Sequence, residues 1–194
     1  VVLAHGLFSN LTTWEVLGIE ISNTGRDTWL IEITGGTGQD CDDCIDYTFY
    51  NLTDIFVPAL LNGVLDFTGK DKIQYVGFSN GCRSALDSLE RGQFDSNKVE
   101  TFVAVGCPGA FEKLSLIDSG IILVDDKILT KLKNKNVNHV DIGDILKLGL
   151  LNKNVISEHE TGKISLGLWK DYLQFMSSTN DSQPGKIDVT KFAI

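Results

Sequence analysis

Short runs of β-branched and aromatic residues alternate along this chain with longer stretches whose apolar positions recur every three or four residues. Residues 1–4 (VVLA), 29–33 (WLIEI), 73–76 (IQYV) and 99–105 (VETFVAV) read as strands. Between them, residues 13–22 have the mixed pattern of a surface helix. Residues 47–67 place Leu52, Ile55, Phe56, Ala59, Leu60, Val64 and Leu65 at helical spacing, with Pro58 positioned to kink the run. Residues 80–89 do the same with Cys82, Ala85, Leu86 and Leu89. Strands alternating with helices predict an α/β fold, a mostly parallel sheet with helices on both faces.

Beyond Pro108 the pattern is mixed. Residues 112–136 combine apolar and lysine-rich pieces and fit a strand, a helix or a cover equally. Strands are expected at 137–142 and 154–157, and an amphipathic helix at 164–176 carrying Leu166, Leu168, Trp169, Tyr172, Leu173 and Met176. SSTNDSQPG then reads as a polar linker. The chain accordingly divides into one domain, residues 1–177, and a linker and C-terminal tail, residues 178–194. There is no internal repeat.

Composition narrows the function classes. With 194 residues, 42% hydrophobic and 22% charged, the chain can bury a sizeable core, and no apolar run reaches the roughly 20 residues of a membrane helix. The expectation is a soluble protein without a transmembrane segment. A net charge of -9 argues against nucleic acid, whose phosphates need a basic face. The chain opens VVLAHG, without Met, so removal of an upstream segment is expected. Four cysteines and sequons at Asn10, Asn51 and Asn180 lean toward a secreted or extracellular protein.

Chemistry concentrates at YVGFSNGC, where Ser79 stands between Gly77 and Gly81. The pentapeptide alone fits an ordinary turn serine. Its context does not: an apolar strand leads in and a helix-compatible segment leads out, as a nucleophile elbow requires. A serine nucleophile needs a base, and the oxyanion it creates needs donors, each worth about 3 kcal/mol in the transition state. The backbone amide after the serine, that of Asn80, and the amide of Leu7 in the His5-Gly6-Leu7 segment are the candidate oxyanion-hole donors.

Three histidines are present. His5 fits a structural brace for the oxyanion loop, and His139 a half-buried strand residue. His159 lies between a strand and the last amphipathic helix, where the order Ser, acid, His puts the base. The orienting acid should end the preceding strand, which selects Asp144, with Asp141 as alternative and Asp125 and Asp126 more remote.

In VVLAHGL, DFTGKDKIQYVGFSNG, NKVETFVAVGCPGAF and SEHETGKISLGLWKDYL the chain resembles the α/β-hydrolase superfamily, and within it small lipases that lack a cap domain; TWLIEITGG is similar to the strand after the oxyanion loop in acid lipases. Phe78 departs from the pattern, standing where a histidine is common. The resemblance implies a minimal α/β-hydrolase fold without a large cap. It implies Ser79 as nucleophile, His159 as base, Asp144 as its partner and the amides of Leu7 and Asn80 as oxyanion hole. The implied activity is that of a lipase or esterase working through an acyl-enzyme on a small-molecule or lipid ester, with no metal and no cofactor. Two other readings are a hydrolase-like module without catalysis in a larger extracellular protein, and an acyltransferase.

The acidic DCDDCID, residues 40–46, lacks the context of a redox site and is two ligands short of a zinc site, leaving calcium, a local disulfide or a solvated loop. Cys82 and Cys107 follow neighbouring strands, as two thiols or as a bridge.

Overall fold

The computed structural model describes residues 1–7, 9–34, 47–107, 139–141, 163–165 and 192–193. The strands β1 (Val2–Ala4), β2 (Trp29–Ile31), β3 (Ile73–Phe78), β4 (Val99–Val105) and β7 (Phe192–Ala193) form one sheet in the order β2-β1-β3-β4-β7. Every pairing in it is parallel. The crossovers carry α1 (Glu15–Asn23), α3 (Val57–Thr68) and α4 (Asn80–Glu90). The strands expected at 29–33 and 73–76 thus end two residues earlier and later respectively, and β4 spans the expected 99–105. β7 falls in the stretch read as linker and tail.

Core and topology agree on which helix covers which face. From β1 the chain moves outward to β2, then crosses back over β1 to β3 and on to β4. Right-handed crossovers therefore put α1 on one face and α3 with α4 on the other. Leu3 and Leu30 lie against α1, where Gly18 leaves room: a Cβ there would come within 2.7 Å of Leu30 Cδ1. On the opposite face Val2, Ala4, Ile31, Ile73, Tyr75 and Phe102 share one buried cluster with Leu61, Val64 and Leu65 of α3 and with Cys82 and Ala85 of α4. Each such large apolar side chain contributes about 1.5–3 kcal/mol by leaving water.

The run expected to be helical over 47–67 begins with α2 (Phe49–Asn51), capped by Thr48, whose hydroxyl accepts from the Asn51 amide at 3.2 Å. It passes through a π-turn, Leu52–Phe56, and continues as α3 to Gly69. The π-turn answers the difficulty posed by Pro58, which has no amide hydrogen and whose ring would crowd the carbonyl four residues back. The Val57 amide reaches back five residues to Leu52 instead.

A second, two-stranded sheet pairs β5 (His139–Asp141) antiparallel with β6 (Lys163–Ser165). This corrects the expected helix over 164–176 at its start. Ile164 and Ser165 are strand residues, because the alternating Lys-Ile-Ser segment matches the period of its partner whereas the helical spacing begins only at Leu166. The expected strand at 137–142 is represented by β5. The glycine loop 35–38, the acidic segment 40–46, residues 112–136, where a cap or cover would have to be sought, the strand at 154–157 and the rest of 164–176 lie outside the described residues.

Candidate active site

Among the described residues Ser79 is the only one other than glycine with positive φ, at φ 50° and ψ -118°. Such a backbone costs of order 1–3 kcal/mol and persists only where its surroundings over-determine it. Here they do. The Ser79 amide donates to Val105 O at 2.9 Å, and the Arg83 amide donates to Ser79 O at 3.0 Å. A Cβ on Gly77 would meet Cys82 Cα at 2.6 Å, and one on Gly81 would meet Ala4 O at 2.9 Å and overlap His5 O. Serine is ordinarily a good helix cap, but at this φ the Ser79 side chain makes no capping bond to α4.

The sheet order places this turn. β1 and β3 are neighbours at the point where the winding reverses, and crevices outside the carboxyl ends of such strands are where doubly wound sheets bind ligands. Ala4 pairs with Gly77, so the segment after β1 and the turn after β3 leave the sheet side by side. They touch: a Cβ on Gly6 would stand 3.1 Å from Ser79 Cβ and 3.0 Å from Phe78 Cδ1.

His5 fixes that segment. Its ring is 2% exposed, with Nδ1 2.8 Å from Gly6 O and Nε2 3.0 Å from the Ile33 amide. The tautomer that satisfies both partners carries its hydrogen on Nδ1 and accepts at Nε2. Glu32 Oε1 lies 3.3 Å from the same Nε2. With Nε2 occupied by the Ile33 amide, we assign no ion pair to that contact. His5 is a brace between β1 and the end of β2, with both ring nitrogens engaged.

No protein-family profile matches the chain. The gastric triacylglycerol lipase of Rattus norvegicus is 27% identical over 119 residues, covering 54% of this chain and 30% of that protein. Lipase member M of Mus musculus is 28% identical over 119 residues, 54% of this chain and 28% of that one. The solved monoacylglycerol lipase of Paleococcus ferrophilus superposes with a TM-score of 0.56 at 13% identity, over 90% of this chain and 64% of that one. The chain has the α/β-hydrolase fold. It spans about a third of the length of the curated relatives it matches.

Several supports of the elbow in this α/β-hydrolase fold carried no signal in the sequence. The buried Tyr75 hydroxyl donates to Gly81 O at 2.6 Å, holding the first turn of α4 onto β3. Trp14 Nε1 donates to Ala4 O at 2.8 Å and its ring meets Phe78 edge-on at 6.4 Å. Phe78 is thus a packing residue beneath Gly6. Glu32 accepts from the Leu11 amide at 2.8 Å, a use that a carboxylate at a strand end does not advertise. Cys82 and Cys107, left open between thiols and a bridge, form a disulfide with Cα atoms 5.4 Å apart.

Of the five expected site residues the described structure brings three together. Leu7 directly follows Gly6 and packs against the core, and Asn80, 3% exposed, opens α4 immediately after Ser79. As the first residue of a helix, Asn80 has no intrahelical acceptor for its amide. Asp144 and His159 lie outside the described residues. His139 and the alternative acid Asp141 belong to β5, where Asp141 is in register with Lys163. Among the described residues no group of three or more His, Cys, Asp or Glu side chains could hold a metal ion, and no helix is long and apolar enough to cross a membrane.

Proposed function

We propose that this chain carries the reaction centre of a serine carboxylic ester hydrolase of lipase or esterase type. The observation that carries the reading is the backbone of Ser79: a strained positive φ, at the winding reversal of the sheet, with the Gly6 segment against it. Ser79 Oγ attacks the ester carbonyl while His159 accepts its proton, and Asp144 holds the imidazole in the useful tautomer. The amides of Leu7 and Asn80 donate hydrogen bonds to the developing oxyanion. His159 then returns the proton to the departing alcohol, and water, activated by the same imidazole, releases the acyl group.

The ester-hydrolysing names among the relatives support the substrate class, a small-molecule or lipid ester, and the proposed reaction uses only side chains, backbone amides and water. The Cys82–Cys107 disulfide supports a secreted or extracellular setting, where such bridges persist. The division of the chain at residue 177 remains part of the proposal.

Ser79→Ala is expected to abolish hydrolysis of p-nitrophenyl butyrate with an unchanged circular dichroism spectrum, and a fluorophosphonate to add once, on Ser79. Full activity in the variant, or label on another residue, overturns the reading. Asp144→Asn should lower kcat by roughly 10⁴-fold. If Asp141→Asn does so instead, the acid is reassigned.

A further inference from the structure

The turn at Ser79 is gripped from two sides. On the β1 side, Gly81 of α4 sits against the carbonyls of Ala4 and His5. On the β4 side there are two ties. One is the hydrogen bond from the Ser79 amide to Val105 O, and the other is the Cys82–Cys107 disulfide. Cys82 lies in the first turn of α4, three residues after Ser79. Cys107 lies two residues after Val105, beyond Gly106, where the chain bends at a φ of 53°. The bridge therefore spans the same gap as the Ser79–Val105 bond, one turn further along α4.

We propose that the Cys82–Cys107 disulfide is a positioning element for Ser79, and that a dithiol reductant reversibly turns the site down by opening it. The inference rests on the serine reading above. Without the bridge, the first turn of α4 is joined to the end of β4 by one hydrogen bond to a strained residue, whose backbone then has a route to relax. The buried sheet, against which the Cys82 side chain packs as a thiol as well as in the bridge, stays folded.

The two sulfurs are not equivalent. Cys82 is fully buried, whereas Cys107 is half-buried and follows the exposed residues 104–106. A dithiol thiolate attacks Cys107 Sγ, and the S–S bond breaks with its electron pair on Cys82 Sγ. The amino-terminal turn of α4 stabilises that thiolate as a leaving group before it takes a proton from water. The reagent's second thiol then attacks the mixed disulfide and frees Cys107. In sum the cystine gains two electrons and two protons, and the dithiol becomes a disulfide. Oxidised glutathione reverses the change.

The test compares oxidised and dithiothreitol-reduced protein, with the state of Cys82 and Cys107 fixed by alkylation and peptide mass. Fluorophosphonate inactivation is followed as a function of concentration, and amide exchange is followed at Ser79. Reduction is expected to lower the limiting inactivation rate roughly 10- to 100-fold, leave half-saturation unchanged, speed exchange at Ser79 and preserve the far-ultraviolet spectrum. Reoxidation restores the rate, and Cys82→Ser/Cys107→Ser is slow with or without dithiol. Equal inactivation rates for the oxidised and fully reduced chains overturn the inference and leave the serine reading intact. An oxidised chain that takes no label at all overturns the serine reading, and the inference with it.

Discussion

Gly81 lies so close to the carbonyl oxygen of His5 that no side chain fits between them, which ties the helix after the serine to the segment before Leu7. Gly81→Ala must move backbone on one side or the other. We expect a loss of about 3 kcal/mol in urea unfolding, and the same for Gly77→Ala, whose Cβ would meet Cys82 Cα. Gly63, exposed on α3 with nothing within 4 Å of a Cβ, is the control: Gly63→Ala should gain about 0.5–1 kcal/mol.

His5 supports the same segment from the other direction. His5→Phe keeps most of the ring volume but leaves the buried Ile33 amide without its acceptor. Unfolding should show a cost of about 1–3 kcal/mol. Because the ring also holds Gly6 O, the amide of Leu7 should lose its setting. Ester hydrolysis is then expected to fall in kcat with KM little changed; an unchanged kcat would separate the brace from the reaction.

Burial holds the phenol of Tyr75 well above its ordinary pKa, and that of Tyr47 likewise. A phenol whose folded pKa exceeds its unfolded value of about 10 stabilises the fold fully below that pH and progressively less above it, as the unfolded chain alone ionises. Stability should therefore fall above pH 10 by about 1.4 kcal/mol per pH unit for each such tyrosine. Tyr75→Phe should remove one of these contributions to the alkaline slope and, at pH 7, cost about 1 kcal/mol through its lost bond to Gly81 O. Urea titrations between pH 7 and 11 measure both.

Most of what surrounds Ser79 was legible because local patterns and tertiary demands coincide there. IQYVGF alternates as a half-buried strand, NGCRSALDSLE repeats as a helix, and two glycines mark where backbone meets backbone. What could not be read has a common cause in long-range geometry. Glu32 and Trp14 act on partners 21 and 10 residues away, and the sulfurs of Cys82 and Cys107 meet only because β4 lies beside β3. The π-turn ahead of Pro58 substitutes for the kink that proline alone suggests. At Ile164 the partner strand overrides a helical spacing that starts two residues later.

The backbone of Ser79 separates the needs of folding from those of chemistry. Ser79→Ala removes the hydroxyl but keeps a Cβ at φ 50°, whereas Ser79→Gly removes both, and glycine adopts this backbone without steric cost. Relief of about 1–3 kcal/mol of strain is opposed by the roughly 0.4–1 kcal/mol that a glycine adds to unfolded-chain entropy. Ser79→Gly should thus be more stable than Ser79→Ala by about 1 kcal/mol, with both inactive toward p-nitrophenyl butyrate. Equal urea midpoints for the two variants would mean that the turn stores no strain at this residue. A more stable glycine variant would show that serine is kept at a position where folding alone favours its removal, as expected of a residue retained for reaction.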